Sequence, residues 1–417
     1  MPVTAMRVNW MNPILVMRCH FDAKSLSLPS IRNRSVSLVE EILEKLVGFD
    51  TVSDKSNLEI ISYIKDFCSA RGARIDLIPN MNGDKCGLVA RFGPAETGGV
   101  LLSGHTDVVP IDGQNWTRPA FALTQADDRL YGRGTTDMKG FLACMLSAAD
   151  LASKSALHKP LTLLFSYDEE VGCIGIQEMK PFLIGKLGQP DICVVGEPTE
   201  MQVAVGHKGK TAYRAVCNGQ AGHSALAPDF VNALYVATDL VTALRELQEK
   251  YISIGARDDH YDVPFTTFHV GKMNGGRALN IVPDSAELTF ESRYLAQDGE
   301  TRIFSDITKE IDRINAAYEQ RLGTQAIHLT TVFSYPGLEV SESALVTQMG
   351  LKLVGNKDVC KVAFGTEAGI FVDLGIPTIV CGPGSMSGQG HKPDEYITID
   401  QLKSCEMALK QSVEGLC

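Results

Sequence analysis

The chain has 417 residues, a formal net charge of −11, 44% hydrophobic and 21% charged residues. That length suggests about two to three domains, and the composition is ordinary for a soluble globular protein. The acidic surplus argues against a nucleic-acid partner, which would need a basic footprint. No apolar run reaches membrane-spanning length, so no membrane partner is expected. Eleven scattered cysteines without a C-x-x-C pair fit free thiols in a reducing, cytoplasmic compartment better than a disulfide framework.

Residues 1–35 differ in kind. Arg7, Arg18, Lys24, Arg32 and Arg34 stand there against a single acid, Asp22. The apolar patch over 10–17 is short and broken by Asn12 and Pro13, which makes a poor signal-peptide core. The segment reads as a poorly ordered extension, with an amphipathic transit peptide as the alternative.

From Ser37, a plausible cap, the spacing of Leu38, Ile42, Leu43 and Leu46 predicts a helix. A second helix over 57–71 stops at Gly72. Strands follow over 74–79, 87–92 and 100–103, then a long helix over 137–151 and a strand over 161–167. The runs TLLFS and ICVVG are almost wholly apolar, as strands covered on both faces should be. This alternation predicts an α/β layer fold with a mixed, mainly parallel sheet.

Beyond His207 the rhythm changes. A strand over 210–218, a helix over 232–251, strands over 265–270 and 286–294, a helix over 301–321 and a strand over 326–333 give the order β-α-β-β-α-β. That is the ferredoxin-like pattern. It predicts a smaller α+β domain over 206–334, inserted into a larger one formed by 36–205 and 335–417. The larger domain resumes with a helix over 342–353, a strand over 378–381 and a final helix over 400–413.

The chemistry concentrates at predicted strand ends, where α/β folds place their sites. LLSGHTDVVP carries His105 and Asp107 at a spacing that suits a metal-binding imidazole backed by an acid. It equally describes a strand end whose His and Asp pair in a turn. GRGTTDMKG puts Asp137 at a helix start, where a cap is the simpler explanation. SYDEEVG sets Asp168, Glu169 and Glu170 together, and such acids call for a cation or a proton unless the loop is merely solvated. VVGEPT ends a strand with Glu197, and GPGSMSGQGHKPDEY presents His391 in a glycine-rich loop. Two histidines and several carboxylates, without cysteine, suit divalent ions such as zinc, cobalt or manganese.

These five motifs, in this order, resemble those of the dinuclear zinc aminoacylase/carboxypeptidase family, which includes acetylornithine deacetylases and succinyl-diaminopimelate desuccinylases. The likeness runs from about Ser37 to the C-terminus. It implies a zinc-peptidase-like catalytic domain with an inserted lid and dimerisation domain, two divalent ions (zinc first, cobalt as an alternative) and a homodimer. It further implies that His105 and Glu197 hold one ion, Glu170 and His391 the other, and Asp137 bridges both. Asp107 would orient His105, and Glu169 would be the general base. His223, in GQAGHSALAP, would stabilise the oxyanion in the partner's site, although a loop histidine capping the next helix looks the same. Asn280 and Arg277, in GGRALNIVPDSAEL, would contact substrate. Arg293, in ESRY, would meet a substrate carboxylate or else form a structural ion pair.

Within the family, FGTEAGIFVDLGIPTIVCGPGS, HKGK and GHKPDEY resemble the acetylornithine deacetylase branch. Ile370 stands where the desuccinylases carry an arginine, which favours a small neutral acyl group. Glu367 would attract the ornithine side-chain amine, or serve as a structural acid behind the ligands. The rival substrates are other N-acyl amino acids, acetylcitrulline among them, and dipeptides.

Overall fold

The computed structural model describes residues 36–94 and 97–417, so the expectation for residues 1–35 lies outside the described residues. Everything below concerns the unit 37–417. Among the described residues a nine-stranded sheet runs Arg74–Pro79, Cys86–Phe92, Leu161–Ser166, Val100–His105, Ile192–Pro198, Thr378–Gly382, Val203–His207 and Leu338–Glu339. Val359–Val362 pairs alongside Val203–His207. The pairings around Val100–His105 and Ile192–Pro198 are parallel, and the outer pair Arg74–Pro79 with Cys86–Phe92 is antiparallel. The sheet is mixed with a parallel centre, as the apolar runs predict.

Period-two geometry sorts these strands into two cores. Leu102, Leu163 and Val194 join one cluster with the helices Leu38–Val47, Lys139–Ala152 and Ile399–Glu414. Their neighbours Leu101, Leu164 and Val195 face the other way, onto Ile176, Met179, Leu183 and Phe371. Because both faces are covered, the central strands are buried along their whole length. The helix predicted from Asp137 starts instead at Lys139, which frees Asp137 from the helix and leaves it in the preceding turn.

After His207 the chain leaves this sheet and returns to it at Leu338. In between, Ile327–Tyr335, Gly209–Asn218, Ser285–Tyr294 and Thr267–Gly275 form a second, fully antiparallel sheet in that spatial order. Helices Ala233–Ile254 and Glu300–Leu322 bury their apolar residues against it, around Tyr213, Leu240, Phe290 and Ile307. The element order and pairing are those expected of a ferredoxin-like layer. The sequence pattern missed a three-stranded sheet of Thr124–Ala126, Arg129–Tyr131 and Tyr396–Thr398. Its strands are too short for periodicity to register. No helix among the described residues is long and apolar enough to cross a membrane.

Phe141 ties the core to the chemistry. It is wholly buried, and a Cβ placed on Gly196 would lie 2.0 Å from its ring, so the ring sits on the strand just before Glu197. Phe141→Ala should therefore lower stability by about 3–5 kcal/mol, measured by urea unfolding. A loss under about 1 kcal/mol would show that the ring is not a packing anchor.

Candidate metal centre

His105, Ser166 and Glu197 sit at the carboxyl ends of adjacent strands, with His105 paired directly to Ser166. The chain then turns at Asp168, whose φ is +55°, and carries Glu169 and Glu170 over the sheet edge. The separated motifs converge here. His105 Nε2 lies 3.1 Å from Asp137 Oδ1 and 3.6 Å from Glu197 Oε1. His391 Nε2 lies 3.0 Å from Asp137 Oδ2 and 3.1 Å from Glu170 Oε1. The two oxygens of Asp137 thus face two different imidazoles. His105, Asp137 and Glu170 bring ligand atoms within 4.8 Å of one another, as do His105, Glu169 and Glu197.

Asp107 does more than the sequence suggests. The nearest acceptor for His105 Nδ1 is the main-chain carbonyl of Asp107, at 2.9 Å, while the carboxylate stands at 3.5 Å. That carboxylate accepts from the Ser53 hydroxyl at 2.7 Å and from the amides of Glu169 and Glu170 at 3.1 and 3.3 Å. One residue therefore orients the histidine through its backbone and the acidic turn through its side chain. Glu169 and Glu170 then point apart: Glu170 to His391, Glu169 towards the Cys173 thiol, 3.6 Å away. The third acid, Asp168, is paired with the Lys85 ammonium, a partner the sequence did not disclose.

Electrostatics show what the cluster would bind. Burial, reinforced by neighbouring carboxylates, raises Glu169 and Glu197 well above the usual carboxylate range and pushes Glu170 up to about 7. Burial would lower the His391 imidazole, but the carboxylates of Asp137 and Glu170 outweigh it and push His391 up to about 10. His105 is likewise raised, against the pull of burial, by Asp107, Asp137 and Glu197. Glu197 Oε1 is buried without a hydrogen-bond partner. Crowded buried acids and imidazoles that all favour their protonated forms make a group whose charge a bound cation would balance. The donor set, imidazole and carboxylate, fits zinc or a similar divalent ion.

The remaining candidates lie elsewhere. His223, exposed, begins a short 3-10 turn over Ser224–Asp229 and accepts the Ala225 amide on Nδ1 at 3.1 Å, whereas the next helix, Ala233–Ile254, is capped by Asn232. It bridges to Ile281, which brings it beside Asn280, whose carbonyl accepts the Ser224 amide. Arg277 is largely exposed, 3.8 Å from Asp284. Arg293 pairs with Glu291 at 2.8 Å, and Lys210 meets the same carboxylate. Among the described residues, no hydrogen bond or ion pair joins these groups to the cluster.

Glu367 lies deep: only 1% of it is exposed, and its Oε1 is buried without a hydrogen-bond partner. Burial pushes its carboxyl up to about 7, against the Ser166 hydroxyl and the His105 charge. Such a position suits the structural alternative more readily than a contact with a substrate amine.

Comparison with known proteins now has a geometry to explain. Residues 101–415 match the family described as peptidase family M20/M25/M40. The chain belongs to this family. Its M20 relatives include the acetylornithine deacetylase of Aliivibrio fischeri strain ATCC 700601 / ES114, 35% identical over 351 residues, 84% of this chain and 89% of the relative. That of Pasteurella multocida strain Pm70 is 33% identical, covering 89% and 94%. Solved structures share the M20 fold: a metallo-carboxypeptidase from Sulfolobus solfataricus has a TM-score of 0.74 at 20% identity, covering 91% of this chain and 99% of that one. A tripeptidase from Staphylococcus aureus has a TM-score of 0.71 at 20% identity, covering 91% and 98%.

The His391 imidazole and the Glu170 carboxyl both favour their protonated forms, so a divalent ion binding there would displace protons. Ion binding at pH 7 should therefore release protons and weaken as pH falls. Calorimetric titration with zinc in two buffers of different ionisation enthalpy checks this. An observed enthalpy independent of buffer would contradict it.

Proposed function

We propose that this chain removes the acetyl group from N2-acetyl-L-ornithine, giving L-ornithine and acetate, the deacetylation step of arginine biosynthesis. The observation that carries the reading is the Asp137 carboxylate set between two imidazoles, with Glu169 beside it, in a chain 35% identical to an acetylornithine deacetylase. Two divalent ions, zinc or cobalt, are the proposed cofactors. His105, Asp137 and Glu197 would hold one, and Asp137, Glu170 and His391 the other. Bound there, such ions supply Lewis acidity and make water acidic enough to ionise near neutral pH.

The rest of the work falls to side chains. Glu169, whose carboxyl would ionise once cations offset the burial and the neighbouring carboxylates that raise it, takes a proton from the attacking water. The water oxygen bonds to the acetyl carbonyl carbon, the C–N bond breaks, and Glu169 returns the proton to the departing amine. Charge on the carbonyl oxygen needs a donor. His223 suits this role because the Ala225 amide occupies Nδ1, which places the neutral ring's proton on Nε2. Exposed on the second layer, His223 would act in a partner's site of a homodimer, with residues 206–334 as lid and dimerisation domain.

Substrate choice follows from charge. Ile370 is 1% exposed and packed in a core with Phe371 and Tyr335, so it gives a succinyl carboxylate no cation. Arg293 and Lys210 bracket Glu291 and leave one positive charge over, which suits the α-carboxylate of an acyl amino acid. Arg277 and Asn280 are the further proposed contacts. The ten cysteines among the described residues are free thiols, consistent with the reducing cytoplasm we propose as the setting.

Glu169→Gln should cut kcat by about 10²–10⁴-fold while metal content, read by atomic emission, stays at the wild-type value. Substantial residual turnover would remove Glu169 from its role. His223→Ala should lower kcat by about 10²–10³-fold on acetylornithine, whereas an unchanged kcat would exclude it from oxyanion stabilisation. A panel of acetylornithine, acetylcitrulline, acetylmethionine, succinyl-diaminopimelate and a dipeptide tests the substrate. A higher kcat/KM for any other member than for acetylornithine would overturn the assignment.

A further inference from the structure

Asp137 and His391 are distant in sequence, yet one buried carboxylate ties their supports together. Glu395, four residues beyond His391, is 1% exposed. Its Oε1 accepts the amides of Thr136 at 2.9 Å and Asp137 at 3.1 Å, and its Oε2 accepts the Gly134 amide at 3.0 Å. Oε2 also meets the Arg133 guanidinium at 2.7 Å, and Arg133 is wholly buried. The turn carrying Asp137 is thus built around Glu395.

Arg133 carries the connection to the other side. Its Nη1 also reaches the Lys392 carbonyl at 3.4 Å, and its Nη2 donates to Gln114 Oε1 at 2.5 Å. Gln114 in turn donates through Nε2 to the His391 carbonyl at 3.3 Å. The circuit links the backbone of Asp137 to the backbone of His391. It leaves the other ligands to different supports: Asp107 holds His105 and the amide of Glu170, and the strand Ile192–Pro198 holds Glu197.

We propose that Glu395, acting through Arg133 and the Gly134–Asp137 amides, is the positioning residue that sets affinity at the Asp137–Glu170–His391 position. The His105–Asp137–Glu197 position does not depend on it to the same degree. This rests on the two-ion reading above. The chemical reason is geometric. Two oxygens accept three amides and one guanidinium, and a neutral amide in their place would turn an NH2 group against one of those donors. Loss of such an outer partner costs about 10–100-fold in metal affinity.

The test is calorimetric titration of the metal-stripped full chain with cobalt(II), followed also by the visible cobalt spectrum. Wild type should bind two equivalents. Glu395→Gln should keep one equivalent within twofold and weaken the other about 10–100-fold, with the metal-free melting temperature close to wild type. Arg133→Lys keeps the buried charge but loses the fork. It should weaken the same equivalent to a smaller extent, and it serves as the deciding variant if Glu395→Gln does not fold. Both equivalents unchanged, or both weakened alike, would overturn the role of Glu395. A wild type that binds fewer than two equivalents would instead overturn the two-ion reading.

Discussion

The structure around the sheet edge depends on one electrostatic constraint: too many carboxylates share too little water. Asp107, Asp137, Glu169, Glu170, Glu197 and Glu367 crowd around two imidazoles in surroundings that strip water from most of them. Burying unpaired charge costs far more than a fold of this size can spare. Each acid must therefore gain a proton, an amide, a cationic side chain or a metal ion. Asp107 is satisfied by amides and the Ser53 hydroxyl, Asp168 by Lys85, and Glu395 by Arg133 and amides. Asp137, Glu170 and Glu197 are left to share the two histidines, while burial favours the neutral forms of Glu169 and Glu367. That remainder is the candidate metal centre.

The fold explains why the remainder falls at one place. Parallel central strands bring His105, the acidic turn and Glu197 to one edge, because all three follow strand carboxyl ends. Asp137 arrives from the turn before a helix buried against that sheet. His391 arrives from a loop far along the chain and is partly exposed. His105, Asp137 and Glu197 are buried, and His391 is the more exposed of the two imidazoles.

Much of this was legible in the sequence. Apolar runs marked the central strands because both faces are covered, and the change of rhythm after His207 marked the second sheet. The five motifs brought two histidines and several acids to predicted strand or loop ends, and the family resemblance they carry singled out His105, Asp137, Glu170, Glu197 and His391 as a set. What stayed hidden depends on pairing at long range. Glu395 lies in plain view in GHKPDEY, yet its partners are about 260 positions away, and no local spacing betrays them. Lys85 and Asp168 are separated likewise. The burial of Glu367 stayed hidden too, because it depends on packing that periodicity does not encode.

The central claim is that Asp137 stands between two ions. Anomalous diffraction from zinc-soaked crystals measures this directly. The account predicts two zinc peaks about 3.5–4 Å apart, one beside His105 and Glu197, the other beside Glu170 and His391, with one Asp137 oxygen on each. A single peak, or a pair that Asp137 does not join, would contradict it.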